Sequence, residues 1–376
     1  MIGLALSGGG SRAMAFHLGC LRALHEIELL SRVNVLSTIS GGSVIGAYYA
    51  YTPGKSFAEF EADIKAFLRT GFQRSIAIEF FKPHNFLRCA ASFTLTRFAE
   101  AVALATGKEL GLIRAFSRTD LFRHVLNRDV YREIGLNAPR RNGLDVVIGA
   151  CDLRYGSAFR FGSSSSGDWR RGHVLSNDLD VAFAVAASAA YPIFLPALDR
   201  VWKFRKGDME SEQRVCLTDG GVYDNLGMQV LEPNRDPTIS LHCFPCEYLI
   251  VCNAGHGQEG GQIIPRGFYR RVSRSFGIVH RRVQDSAMNH LHHLRSSGGI
   301  KGFVLPYLGQ LDDRLPSKPT GLVPRGDVIG YGTDFGPMSE EWIERLSLRG
   351  EQLTKCLLTH YLPDLISGDS HTAASP

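Results

Sequence analysis

Three short segments of this 376-residue chain carry the residue types needed for nucleophilic attack on an ester: Ser7-Gly8-Gly9-Gly10-Ser11-Arg12, Thr38-Ile39-Ser40-Gly41-Gly42 and Thr218-Asp219-Gly220-Gly221. Such chemistry needs an exposed hydroxyl, a base for its proton, and donors where the oxyanion forms. Ser40 follows an apolar run and precedes two glycines, the pattern of a strand-to-helix turn that presents a nucleophile. Thr38 stands where the general G-x-S-x-G elbow has its first glycine, so a plain N-cap serine is the alternative reading. Ser43 is a rival hydroxyl, but one turn further on it should point along the helix. Asp219, placed before two glycines, suits a base, although Asp-Gly-Gly alone is commonly only a turn.

Gly8, Gly9 and Gly10 open a segment in which Met14, Leu18, Leu21 and Leu24 recur at helical spacing. Successive backbone N–H groups at the start of a helix can converge on an anion, which suits an oxyanion hole. A phosphate cradle is the competing use, but the Lys-Ser/Thr ending of a P-loop is missing. Arg12 places fixed charge beside the loop, to hold it or to meet a phosphate; pairing with Glu26 or Glu28 at the surface is the plainer option. His256, in a glycine loop after a strand, completes a rival Ser40, Asp219, His256 triad in the chain order of α/β-hydrolases. His17 reads as a packed core histidine.

The elements that must position these residues are short apolar runs alternating with helical segments. Residues 2–6, Val33 to Ile39, Leu144 to Cys151, Val215 to Thr218, Tyr248 to Asn253 and Gly302 to Leu305 read as strands. The expected fold is α/β: a mostly parallel central sheet flanked by helices in three layers, with the chemistry at the strands' carboxyl ends. Residues 52–141 read as a helical insertion or cap, with helices over Phe57 to Thr70 and Leu87 to Ala105. A single domain over residues 1–366 followed by a frayed tail at 367–376 is expected.

Composition narrows the partners. With 44% hydrophobic and 21% charged residues the chain is of ordinary globular type, and its net charge of +5 permits contact with anionic surfaces without requiring nucleic acid. The absence of a charged leader or a long apolar run points to a cytoplasmic protein with at most peripheral membrane contact. The eight cysteines read as reduced core thiols, and the Cys243–Cys246 pair lacks a second pair for zinc, so no metal is expected. The arginines of 266–282, interleaved with Phe268, Phe276 and Ile278, describe a basic helix, either a solvated face or a membrane-binding one.

Taken together, the triple glycine with Arg12, the Ser40-Gly41-Gly42 turn and the distant Asp219-Gly220-Gly221 resemble the patatin-like phospholipases, which are similar to the cytosolic phospholipase A group. Ala187-Ser188-Ala189-Ala190-Tyr191-Pro192 and Cys151-Asp152-Leu153 add to the resemblance, which runs from residue 2 to about 255. It implies a Ser40–Asp219 dyad without a catalytic histidine, an oxyanion hole at Gly8, Gly9 and Gly10, an acyl-enzyme intermediate, and no metal or cofactor. The substrates it implies are phospholipid or lysophospholipid esters. A neutral-lipid esterase and a non-catalytic lipid- or partner-binding protein are the alternatives. Thr38 and the 52–141 insertion depart from the plant storage-protein pattern.

Overall fold

The computed structural model describes residues 1–176, 179–257 and 264–366; the expected tail at 367–376 and part of the glycine-rich loop after His256 lie outside them. Ten strands form one sheet: β1 (Ile2–Leu6), β2 (Val35–Ile39), β3 (Asp145–Asp152), β4 (Ser157–Gly162), β5 (Ser166–Asp168), β6 (Gly172–Val174), β7 (Leu198–Lys206), β8 (Met209–Asp219), β9 (Tyr248–Cys252) and β10 (Gly302–Val304). Their order is β10-β9-β1-β2-β3-β4-β5-β6-β7-β8, with β8 also pairing back onto β3. The five strands β10, β9, β1, β2 and β3 are parallel, and the remainder is antiparallel, so the sheet is mixed. Alternation along the parallel strands divides the core. Leu4, Leu6, Leu36 and Ile148 enter one cluster; Ala5, Val35, Val147, Leu249 and Val251 enter the other. Helices therefore cover both faces.

The helices are α1 (Gly10–Glu26), α2 (Gly41–Tyr51), α3 (Phe57–Thr70), α4 (Gln73–Phe81), α5 (Pro83–Thr106), α6 (Arg118–Leu126), α7 (Val181–Ser188), α8 (Gly221–Asp224), α9 (Phe268–Ser296), α10 (Glu340–Tyr361) and α11 (Pro363–Ile366). Helix α3 begins at a capping box between Ser56 and Glu59 and buries Phe60, Ile64 and Leu68 in the main core. Part of the expected cap is thus core, and α6 joins it through Phe122 and Val125. The raised part is α4 and α5, on which Phe81, Phe93, Phe98 and Leu104 are exposed. Pro83 starts α5 at its first helical position, where the missing N–H costs nothing, which is why this helix begins four residues before the expected Leu87.

Register brings three strand ends to one place. The parallel pair β1–β2 ends at Leu6 and Ile39, and β3 runs on past Ile39, which faces Gly149. Strand β8 pairs only with the last three residues of β3, with Asp219 opposite Ala150. Although β8 arrives from the opposite direction, Asp219 therefore lands beside the end of β2.

Helix α1 is fixed by α10. A Cβ on Gly19 would lie 1.7 Å from the Ser347 carbonyl oxygen, and one on Gly350 would lie 2.2 Å from that of Phe16. This backbone-to-backbone approach sets where α1 starts, and so where the glycine loop lies. Gly19→Ala is expected to cost about 3 kcal/mol through overpacking. The same change at Gly277, helical with open space around it, should gain about 0.5–1 kcal/mol. Urea denaturation of the two variants checks the opposite signs.

Candidate active site

Ser40 sits between β2 and α2 with φ 52° and ψ −119°, outside the regions L-residues favour. Such a conformation costs about 1–3 kcal/mol and persists only where neighbours enforce it. The neighbours are identifiable. The Ser40 amide donates to Ser188 Oγ at 2.9 Å, and the Ser188 carbonyl accepts from Gly220 N–H at 3.1 Å. One residue at the end of α7 thus ties the serine turn to the aspartate turn. Asp219 N–H and Thr218 Oγ1 both donate to the Ala190 carbonyl, at 3.1 and 2.8 Å. The Ala187–Pro192 block is the clamp on both. Ser43 is fully buried, its hydroxyl bonded to Ser188 Oγ at 2.9 Å, and it does not line the cavity described below.

Asp219 is buried, and its Oδ1 accepts from Gly221 N–H at 2.7 Å. Burial pushes the carboxyl up to about 6, against the opposing effects of the Ser40 hydroxyl and the Gly221 amide. Desolvation penalises the anion more than two hydrogen bonds relieve it. The aspartate therefore has a proton affinity far above that of a surface carboxylate, and the Ser40 hydroxyl is one of the groups that set it. His256 is not among the groups that set this proton affinity; its Nε2 is 2.8 Å from the Tyr331 carbonyl.

The glycine loop divides its amides. Gly8 N–H is spent on the Asn225 carbonyl at 3.1 Å, which removes it from the expected set of oxyanion donors. The Gly9 and Gly10 amides make no hydrogen bond among the described residues, and both line the cavity with Ser40 and Asp219. Gly9 and Gly10 have φ of 144° and 59°, which only glycine adopts without strain. Arg12 is buried rather than paired at the surface: Nε donates to the Ala254 carbonyl at 2.9 Å and Nη1 to that of Tyr331 at 3.2 Å. Its charge thereby holds the segment 331–336, whose Asp334 carbonyl accepts from Ser11 N–H at 2.7 Å, across the start of α1.

These groups form the floor of a cavity of about 1400 Å³. Phe80, Phe81, Phe86 and Phe93 of α4 and α5 line one wall; Arg274, Ile278, Arg281 and Arg282 of α9 line another. The space is larger than most small-molecule sites and suits a long amphipathic molecule. For metals, one group among the described residues has suitable spacing: His17, Cys20 and Cys252, buried behind the loop with donor atoms within 4.8 Å of one another. His17 Nε2 is also 3.0 Å from the Ser7 carbonyl, so this histidine packs in the core as its sequence context suggested.

The sequence model of the patatin-like phospholipases matches residues 4–231. The chain belongs to that family. Its fold is similar to that of human GIVD cytosolic phospholipase A2, with a TM-score of 0.54 at 13% identity, covering 98% of this chain and 60% of that one. The same human protein in complex with methyl gamma-linolenyl fluorophosphonate gives a TM-score of 0.51 at 12% identity, covering 98% and 59%. This chain thus spans about 60% of the length of the solved structures it resembles. No curated protein matches it in sequence.

Three residues of this patatin-like site carried no sequence signal strong enough to single them out. Asn225 packs its Oδ1 where a Cβ on Gly8 or Gly221 would lie, 2.5 Å from each. Asp334 comes from a loop far along the chain. His280 of α9 contacts the Gly221 backbone; burial holds its pKa below the ordinary value, and that contact opposes the effect.

The raised Asp219 carboxyl has a consequence for stability. Its pKa is higher folded than unfolded, so ionisation opposes folding. The penalty is absent below about pH 4 and complete above about pH 6. Asp219→Asn should therefore raise the melting temperature relative to the native chain by more at pH 8 than at pH 4, as scanning calorimetry would show; an equal difference at both pH values would contradict the raised pKa.

Proposed function

We propose that this patatin-like chain is a serine acyl hydrolase of phospholipids or lysophospholipids, working through Ser40 and Asp219 without a catalytic histidine. The observation that carries the reading is the buried carboxyl of Asp219, raised to about 6 beside the Ser40 hydroxyl, on the floor of a cavity that also holds two uncommitted amides. A base with a pKa near 6 is largely ionised at neutral pH yet basic enough to take a proton in the transition state.

In this mechanism Asp219 takes the Ser40 proton as Oγ attacks the ester carbonyl carbon. Negative charge forms on the carbonyl oxygen, where the Gly9 and Gly10 amides and the positive end of α1 stabilise it. The carbon–oxygen bond to the alcohol breaks, and Asp219 returns the proton to the leaving oxygen. Water then attacks the acyl-serine with Asp219 again accepting the proton; the carbon–Oγ bond breaks as Asp219 passes that proton to Oγ, which releases the fatty acid and restores Ser40 and the carboxylate. Arg12 holds the loop and the segment over it in register, and its charge beside Gly9 favours an anionic substrate.

Support for a lipid substrate comes from the family and from the phenylalanine-lined wall. Among the described residues no helix is long and apolar enough to cross a membrane. The exposed side chains of α4 and α5, such as Phe81 at 74% and Leu104 at 89%, support a peripheral seat on a lipid surface beside the cavity mouth. Such a seat fits a cytoplasmic enzyme with all eight cysteines free.

Ser40→Ala and Asp219→Ala are each expected to lower kcat/KM for p-nitrophenyl butyrate by at least about 10³-fold. His256→Ala should stay within about tenfold, because Tyr331 rather than the dyad holds it. With the native chain, kcat/KM should rise with pH through about 6 and then level off, since the ionised carboxylate is the active form. Loss of all activity in the histidine variant would replace the dyad with a triad.

A further inference from the structure

We infer that the α9 wall of the cavity is an anion subsite that selects phospholipids whose head group carries net negative charge; this rests on the reading of Ser40 and Asp219 as the hydrolytic centre. Helix α9 is not a remote basic face. Three of its residues touch the catalytic edge: His280 meets the Gly221 backbone, Arg281 Nη1 donates to the Gly257 carbonyl at 2.7 Å, and a Cβ on Gly255 would lie 3.4 Å from Gln284 Oε1. Arg282 is two residues from His280 and Arg274 six residues before it, about 3 and 9 Å along the helix axis. Both line the cavity.

The charges facing this space do not balance. Arg281 pairs with Asp285 on the same helix, Nε to Oδ2 at 3.5 Å. Arg274 and Arg282, with Arg114 and Arg118 on the α5–α6 side, have no ion pair among the described residues, although all four line the cavity. Arg114 goes further, since its Nε is buried with no hydrogen-bond partner. A buried donor left unpaired costs free energy, so a ligand anion that supplies the acceptor gains by it. The acids facing the cavity are Asp219, used at the centre, Asp285, paired with Arg281, and Asp334, whose Oδ1 accepts from Gly336 N–H at 2.9 Å.

The remaining excess is cationic: Arg274 and Arg282 on the α9 wall, with Arg114 and Arg118 at the α5–α6 side. A lipid with its acyl chain against Phe80, Phe86 and Phe93 would hold its phosphate in the same cavity as the unpaired Arg274 and Arg282. A zwitterionic head group would bring its own cation toward the unpaired arginines, whereas a phosphoglycerol head group would not. Guanidinium groups bind phosphate oxygens through paired hydrogen bonds as well as charge.

Monomeric dihexanoyl phosphatidylglycerol and dihexanoyl phosphatidylcholine, kept below their micellar concentrations, test selection in the cavity apart from adsorption to a surface. The native chain is expected to favour the glycerol head group by roughly tenfold in kcat/KM, and the double variant Arg274→Glu, Arg282→Glu should lose that preference while Arg274→Lys, Arg282→Lys keeps most of it. Calorimetric binding of both lipids to Ser40→Ala protein reads the same preference without turnover, and glycerophosphoglycerol, which lacks acyl chains, separates capture of a free phosphodiester from capture of the lipid. Equal affinity of the Ser40→Ala protein for the two lipids, or a preference unchanged by charge reversal, overturns the subsite. Failure of the native chain to hydrolyse either lipid or p-nitrophenyl butyrate would sink the hydrolase reading instead, and the binding preference would still stand or fall by itself.

Discussion

The contact on which this structure depends is between two pieces of backbone. A Cβ on Gly41 would lie 2.2 Å from the Gly10 carbonyl oxygen, and one on Gly42 would lie 2.4 Å from that of Leu6. The glycine loop after β1 and the serine turn after β2 therefore touch without side chains between them. Neither could be displaced without moving the other. That contact places the free amides of Gly9 and Gly10 beside Ser40, and it explains why glycines cluster at both strand ends. The third turn follows the same rule, since a Cβ on Gly220 would lie 2.3 Å from the Gly149 carbonyl oxygen. Rigid placement of donors before reaction is what makes an oxyanion site effective, because little reorganisation remains to be done.

The second constraint is electrostatic and works against stability. Asp219 is desolvated by its position at the end of β8, and the two groups that relieve it, Ser40 and Gly221, do so incompletely. A carboxylate exposed to water would be a poor base for a serine hydroxyl; a buried one is better matched, and destabilises the fold when ionised. Free energy lost there and in the positive φ of Ser40 is offset by ordinary packing elsewhere, notably the close seat of α1 on α10.

Much of the candidate site's backbone was legible in the sequence because its close approaches demand glycine, and glycine is conspicuous. The short apolar runs ending at Ser7, Ser40 and Asp219 gave the parallel strands β1 and β2 and the end of β8 with small errors at their boundaries. What stayed hidden has physical reasons. Strand β7 and the first half of β8 form a hairpin carrying Arg200, Lys203, Arg205, Glu210 and Glu212, and a charged exposed ribbon leaves little hydrophobic signal. This is also why the antiparallel half of the sheet was not foreseen. The engagement of Gly8 N–H by Asn225, and the strap at 331–336 held by Arg12, are contacts between residues distant in sequence, which no local pattern encodes. The basic helix was readable as amphipathic, but periodicity could not tell that its arginines border the cavity.

The central claim is that Ser40 is the nucleophile and Asp219 alone its base. The most direct measurement is to react the protein with a fluorophosphonate, map the modified residue by mass spectrometry, and follow the labelling rate from pH 4 to 8. The account predicts a single adduct on Ser40, formed at a rate that rises through about pH 6 with the ionisation of Asp219. An adduct on Ser43, no adduct, or a rate indifferent to pH across that range would contradict it.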